Sequence, residues 1–117
     1  PEDEENKRLT FAQAETGASG IETLLPLSLE LYHNGSVPLV TIIKALTSKP
    51  AEILKINKGN LSTGNDADFC IVDINKPWVV RKEKLISKSK NTPIEDKKLQ
   101  GKVISTFVNG EELFKSE

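Results

Sequence analysis

The sequence predicts an α+β fold in which helices come first and strands follow. Three observations carry this prediction. Between residues 19 and 56, apolar side chains recur at the three-to-four-residue spacing of a helix face. From Gly59 the punctuation changes: Gly59, Gly64 and Asn65 mark turns, and the following Phe69-Cys70-Ile71-Val72 is a continuous run rich in β-branched residues. Near the end, Asn109-Gly110 separates two strand-like runs, and this pair accepts the positive φ angles of a tight hairpin.

Residues 1–18 read as a polar loop, charged as far as Arg8 and small around Thr16-Gly17-Ala18. The opening Pro1-Glu2-Asp3-Glu4-Glu5 has no initiator Met, basic region or apolar region, so it reads as a cut end rather than a signal peptide. Ser19 followed three residues later by Glu22 matches a capping box and predicts a helix start. Apolar residues at 21, 24, 25, 27, 29, 31 and 32 give this helix a broad buried face. Pro26 inside it is expected to remove one backbone bond and bend it, and Asn34-Gly35 to end it. A second helix is predicted from about Val37 to Leu46, with Pro38 in its first turn and Leu39, Val40, Ile42, Ile43 and Leu46 facing a core. A third spans about Pro50 to Ile56. The Phe69 run is expected to be a strand buried on both faces, with Trp78-Val79-Val80 a shorter separate strand. Val103 to Val108 should pair with Glu111 to Phe114 as the hairpin. No internal repeat is visible.

The 117 residues suffice for one modest domain, and 37% hydrophobic residues place them among ordinary globular sequences. An aromatic content of only 5% makes the core lean, which suits a piece packed against a larger body as well as a small independent domain. With a formal net charge of -1, no global field recruits nucleic acid or an anionic membrane. Arg81 to Lys102 holds eight basic residues against Glu83, Glu95 and Asp96, but no aromatic side chains for base stacking, and reads as a solvated loop. The single Cys70 forms no internal disulfide and is expected to be a small buried hydrophobe, in keeping with a reducing, cytoplasmic setting. No apolar run approaches the length of a membrane span.

Few residues could carry chemistry. His33 is the only imidazole and falls at a helix C-terminus, where the backbone dipole favours a cation; alone, it is not a metal site. Asp66, Asp68 and Asp73 surround the first strand, and Asp66 and Asp68 read as turn residues rather than an acid–base pair. In Thr16-Gly17-Ala18-Ser19-Gly20, small residues just ahead of a helix leave backbone amides bare, which favours an anionic group; the same loop also reads as a plain connector. No residue here is assigned as catalytic or as a metal ligand.

The segment Ser87-Lys88-Ser89-Lys90-Asn91-Thr92-Pro93 lies between Ala67-Asp68-Phe69-Cys70-Ile71-Val72-Asp73-Ile74 and Gly101-Lys102-Val103-Ile104. With Gly20-Ile21-Glu22-Thr23-Leu24-Leu25-Pro26-Leu27 and Lys49-Pro50-Ala51-Glu52-Ile53-Leu54, it resembles the tail of the type I dihydroorotases, in family order over nearly the whole chain. The turn and strand from Gly64-Asn65-Asp66-Ala67-Asp68 are shared with dihydropyrimidinases and allantoinases; the Ser-Lys-Ser-Lys-Asn-Thr-Pro segment much less so.

The resemblance implies that residues 1–57 are the last loop and helices of an amidohydrolase (β/α)8 barrel. Residues 58–117 would then be the C-terminal part of a small accessory β-sandwich. It implies reversible cyclisation of N-carbamoyl-L-aspartate to dihydroorotate in pyrimidine synthesis, with zinc held by His and Asp ligands upstream of Pro1 and none on this chain. Pro1 matches the proline of a His-Ala-Pro-His-like segment after the catalytic strand, and Thr16-Gly17 matches the pair whose backbone contacts the bound pyrimidine. Glu2 departs from the family, since many members have a His there that helps hold the substrate carboxylate. Expected partners are the upstream part of the same enzyme and the small-molecule substrate, with a homodimer or aspartate transcarbamoylase association also open, and neither nucleic acid nor membrane. A second reading, which Glu2 favours, is a noncatalytic paralogue serving as a structural partner of aspartate transcarbamoylase.

Overall fold

The computed structural model describes residues 4–14 and 16–116. Pro1 and Glu2, on which two sequence expectations rest, lie outside them. The helices are α1 (Glu4–Lys7), α2 (Leu24–His33), α3 (Leu39–Leu46) and α4 (Ser48–Leu54). They precede three strands, β1 (Phe69–Val79), β2 (Lys98–Val108) and β3 (Glu111–Lys115). Short 3-10 turns occupy Ile21–Thr23 and Lys82–Lys84. The α+β order is as predicted, and α1 adds one helical turn to a segment expected to be irregular.

Helix starts differ from the sequence reading. The capping box does not form: a 3-10 turn leads into α2, and neither that turn nor the helix has a side-chain cap. Pro26 is therefore the third residue of α2, inside the first turn, where backbone N–H groups have no intrahelical partner and the proline breaks nothing. Pro38 is extended at ψ 142 and sits just ahead of α3 rather than in its first turn. Helix α4 begins two residues before Pro50 and ends at Lys55, which takes a left-handed φ of 56.

The strands form one antiparallel sheet in the order β1-β2-β3. Trp78 and Val79 belong to β1 itself and are not a separate strand. Asp73 explains this. Its Oδ1 accepts the N–H groups of Asn75 and Lys76, at 2.9 and 3.1 Å. That local turn absorbs an irregularity between Asp73 and Pro77, after which pairing with β2 resumes. The expected hairpin forms between β2 and β3, with φ of 51 at Asn109 and 80 at Gly110, although β2 begins earlier than predicted, at Lys98. Phe69 faces Phe107 across the sheet with ring centroids 4.6 Å apart.

The core lies where α2 meets the sheet. Leu29 and Val80 are fully buried, and Leu99 is nearly so. Gly101, midway along β2 at φ 105, makes room: a Cβ there would overlap Leu29 Cδ1. Trp78 Nε1 donates to the Gly101 carbonyl at 2.9 Å, and Lys97 Nζ reaches Glu30 Oε2 on α2 at 2.9 Å.

Elsewhere apolar groups stay in solvent. Val40 and Ile43 of α3, expected to face a core, are exposed, as are Ile53, Leu54 and Ile56 around α4. Cys70 and Ile71, expected to be buried, are exposed as well; adjacent on the strand, they point to opposite faces, so this part of β1 is uncovered on both. The radius of gyration is 16.5 Å, against about 13 Å for a compact domain of this length. The accessible surface is 8701 Å², against roughly 6,300 Å² for a folded monomer of this mass. No helix among the described residues is long and apolar enough to cross a membrane.

Candidate functional site

Two segments far apart in sequence lie side by side: the loop 17–22 leading into α2, and the strap 85–91 that precedes β2. Both side chains of the expected capping box, Ser19 and Glu22, are used instead to join them. Ser19 Oγ donates to the Ser89 carbonyl at 2.9 Å, and the Ser19 N–H donates to the Asn91 carbonyl at 2.8 Å. Glu22 accepts the N–H of Ile86 at 3.1 Å on one carboxylate oxygen and that of Ser87 at 2.9 Å on the other. Asn91 Nδ2 completes the seam by donating to the Gly17 carbonyl at 3.3 Å.

Local structure fits each segment to this role. Gly17 has φ 88, a left-handed conformation that side chains rarely adopt, and nothing lies within 4 Å of the position its Cβ would take. Thr16 and Gly17 are exposed, so the backbone there is open to a ligand. Thr23 is buried and its hydroxyl donates to the Gly20 carbonyl at 3.3 Å, closing the turn. On the strap, the Lys90 ammonium donates to the Leu85 carbonyl, and the Asn91 N–H to Ser89 Oγ at 3.4 Å. The two segments flank a hollow of about 400 Å³, walled by residues 18–23 on one side and 85–87 on the other.

The amides before α2 are thus only partly bare. The Ser19 N–H serves Asn91, and the Thr23 N–H bonds the Gly20 carbonyl at 3.2 Å. The basic stretch also differs from a purely solvated loop: Arg81 pairs with Asp96, and Glu95 accepts the Lys82 N–H at 2.8 Å.

The remaining candidates lie elsewhere. His33 is at the opposite end of α2 from the seam, about 15 Å along a ten-residue helix, and its Nε2 lies 3.0 Å from the Ile74 carbonyl of β1. Its partner is a strand rather than its own helix terminus. Lys58 Nζ bridges Asp66 at 2.7 Å and Asp68 at 2.5 Å, and Asp68 also accepts the Asn109 N–H at 2.8 Å. The Lys58 ammonium, then the Asn109 N–H, hold the Asp68 carboxyl below its ordinary range; the hydrogen bonds that Lys58 donates to Asp66 and then Asp68 hold its ammonium above its own. These aspartates are turn residues, as read, and Asp73 shapes the β1 irregularity. Among the described residues no group of three or more His, Cys, Asp or Glu is placed to hold a metal ion.

Sequence reasoning missed Ser19, Glu22 and Asn91 as a set. Their spacing mimics a helix cap at one end, and nothing local reveals that the Ser-Lys-Ser-Lys-Asn-Thr-Pro segment is their partner.

Known proteins resemble the chain over nearly its full extent. The dihydroorotase of Ehrlichia chaffeensis is 44% identical over 117 residues, all of this chain and 26% of that protein. The dihydroorotase of Aquifex aeolicus is 42% identical over 99 residues, 85% of this chain and 24% of that one. Among solved structures, the L-hydantoinase (dihydropyrimidinase) of Arthrobacter aurescens superposes with a TM-score of 0.83 at 30% identity, over 89% of this chain and 24% of its own. A D-hydantoinase gives 0.86 at 20% identity, over 97% of this chain and 25% of its own, a likeness of fold. The chain therefore spans about a quarter of the length of the curated relatives it matches. None of these relatives favours the noncatalytic alternative. The amidohydrolase family profile matches residues 6–113, and the chain belongs to the amidohydrolase family.

Proposed function

We propose that this chain is a segment of a dihydroorotase that forms part of the wall of a cyclic-amide site. Residues 1–57 serve as the last barrel loop and helices, and residues 58–117 as the C-terminal part of the small β-sandwich. The whole enzyme interconverts N-carbamoyl-L-aspartate and dihydroorotate in pyrimidine synthesis, and works with the upstream part of the same protein. The observation that carries this reading is the exposed Thr16-Gly17 backbone, tied through the Gly17 carbonyl to the family-like strap and directly preceding Ala18, where the wall of the hollow begins.

The chemistry fits a cyclic amide. A dihydropyrimidine ring presents N–H and C=O groups side by side along one edge, and an exposed peptide unit offers the complementary pair. Gly17 matters because no side chain intervenes and because its φ of 88 is a conformation that other residues rarely adopt. Ile21 and Ile86, 95% and 76% exposed beside the buried Leu85, offer apolar surface for the rest of the enzyme or a ring to cover, and covering it would strengthen those hydrogen bonds. Zinc, which the family reading implies, polarises an amide carbonyl when bound. The described residues do not fit it, and in this reading its ligands belong to other parts of the enzyme.

The test is a substrate comparison with the full-length, zinc-loaded protein. Hydrolysis of dihydroorotate, with little or none of hydantoin or dihydrouracil, is the expected result. Turnover of hydantoin or dihydrouracil without dihydroorotate would place the protein with the cyclic amidases that its structural neighbours represent and overturn the assignment.

A further inference from the structure

We infer that Asn91 is a positioning residue for the substrate loop, acting through the Gly17 carbonyl rather than on substrate itself. This rests on the reading of Thr16-Gly17 as a backbone contact for the ring. The side-chain amide of Asn91 donates to Gly17 O at 3.3 Å, while its main-chain carbonyl accepts from Ser19 N at 2.8 Å. One residue of the strap therefore grips the loop on both sides of the Gly17–Ala18 and Ala18–Ser19 peptides. Gly17 sits at φ 88 with open space around it, so nothing packed against it fixes its orientation.

A glycine in such surroundings samples many conformations, and holding it in one lowers the cost of ordering it when substrate arrives. The Asn91–Gly17 hydrogen bond supplies that hold. The Ser19 Oγ contact with Ser89 and the two Glu22 contacts keep the strap itself in place. An Asp at position 91 would leave the main-chain contact intact but set a carboxylate oxygen against the Gly17 carbonyl, two acceptors with no proton between them.

The experiment uses the full-length enzyme and compares Gly17→Val with Asn91→Asp, reading kcat, KM for dihydroorotate and thermal midpoint for each. The expected result is a KM raised by about five- to tenfold for Asn91→Asp, the scale of one lost hydrogen bond, with kcat and midpoint close to wild type. Asn91→Gln, which keeps the donor, recovers part of the loss. Asn57→Ala, which breaks a comparable side-chain bond to Asn65 away from the seam, leaves KM unchanged. If Gly17→Val raises KM while Asn91→Asp matches wild type, the positioning role fails and the loop reading stands. If Gly17→Val leaves KM unchanged, the loop reading fails and takes the positioning role with it. A fall in kcat or midpoint for Asn91→Asp with no change in KM would make Asn91 merely structural and overturn the inference. Should Asn91→Asp not fold, Asn91→Ala, which removes the donor without adding charge, carries the same comparison.

Discussion

The helices and the sheet bury their apolar residues to different degrees. Where α2 lies on the sheet, Leu29 and Val80 are 0% exposed and Leu99 is 2% exposed. Around α3 and α4, Val40 is 60% exposed, Ile53 78% and Leu54 67%. The apolar residues of α3 are more sharply one-sided than those of α2 and yet stay largely exposed, so amphipathic spacing alone does not decide which apolar face finds a partner within the chain. The junction of α2 with β2 carries the internal stability. The α3–α4 face is the surface we assign to contact with the rest of a larger enzyme.

The sharpest way to break this comparison is at the junction. In the full-length protein, Leu29→Ala is expected to cost about 2–5 kcal/mol by leaving a cavity. Gly101→Ala should cost about 2–4 kcal/mol, through both the clash with Leu29 and the positive φ. The two should couple: in Leu29→Ala, the vacated space makes the added methyl cheaper, so denaturant midpoints of the double variant fall short of additivity. Strict additivity would mean that Gly101 and Leu29 are not packed as described.

Next in size is the opposite region. In the full-length protein, Ile53→Ser and Val40→Ser should each cost more than about 1 kcal/mol if their faces are covered there. Shifts within about 0.5 kcal/mol, the usual range for surface positions, would mean that α3 and α4 face water in the enzyme too. Asp73→Ala should cost about 1–2 kcal/mol by leaving the Asn75 and Lys76 N–H groups without their acceptor.

The smallest effect expected is at the Lys58 clasp, which ties the turn before β1 to the β2–β3 hairpin. The Asp68 carboxyl is held below its ordinary range, so its contribution is present above the unfolded carboxylate range and lost as pH falls through the lowered folded value. Lys58 is held above its ordinary value, so its contribution is present below the unfolded lysine range and lost as pH rises through the raised folded value. Protection of the Asn109 amide, whose N–H Asp68 accepts, measured against the unfolded-chain exchange rate at the same pH, should hold between these limits and fall at the acid end. Protection that ignores pH in the acid range would remove Asp68 from the hairpin.

What could be read from the sequence depended on how far each signal reaches. The Asn109-Gly110 hairpin was visible because its determinant is two adjacent backbone angles. The order of helices and strands was visible because periodicity is local. Ser19 and Glu22 were misread as a cap because the groups that satisfy them, in Ser89, Asn91, Ile86 and Ser87, lie more than sixty residues away. Trp78 was separated from β1 because the Asp73 turn looks like a strand end until both sides pair with β2. Cys70 and Ile71 were expected to be buried because a continuous apolar run shows a strand but not which layers cover it. Within the candidate site, Thr16-Gly17 is a candidate from family resemblance alone, whereas the strap bonded to it required the fold.

The most direct measurement is a crystal structure of the full-length enzyme with dihydroorotate bound. The account predicts a Thr16 or Gly17 backbone group within about 3.2 Å of a ring N–H or C=O, with Asn91 Nδ2 still on the Gly17 carbonyl. A ring seated away from this loop, with Thr16 and Gly17 facing only water, would contradict it.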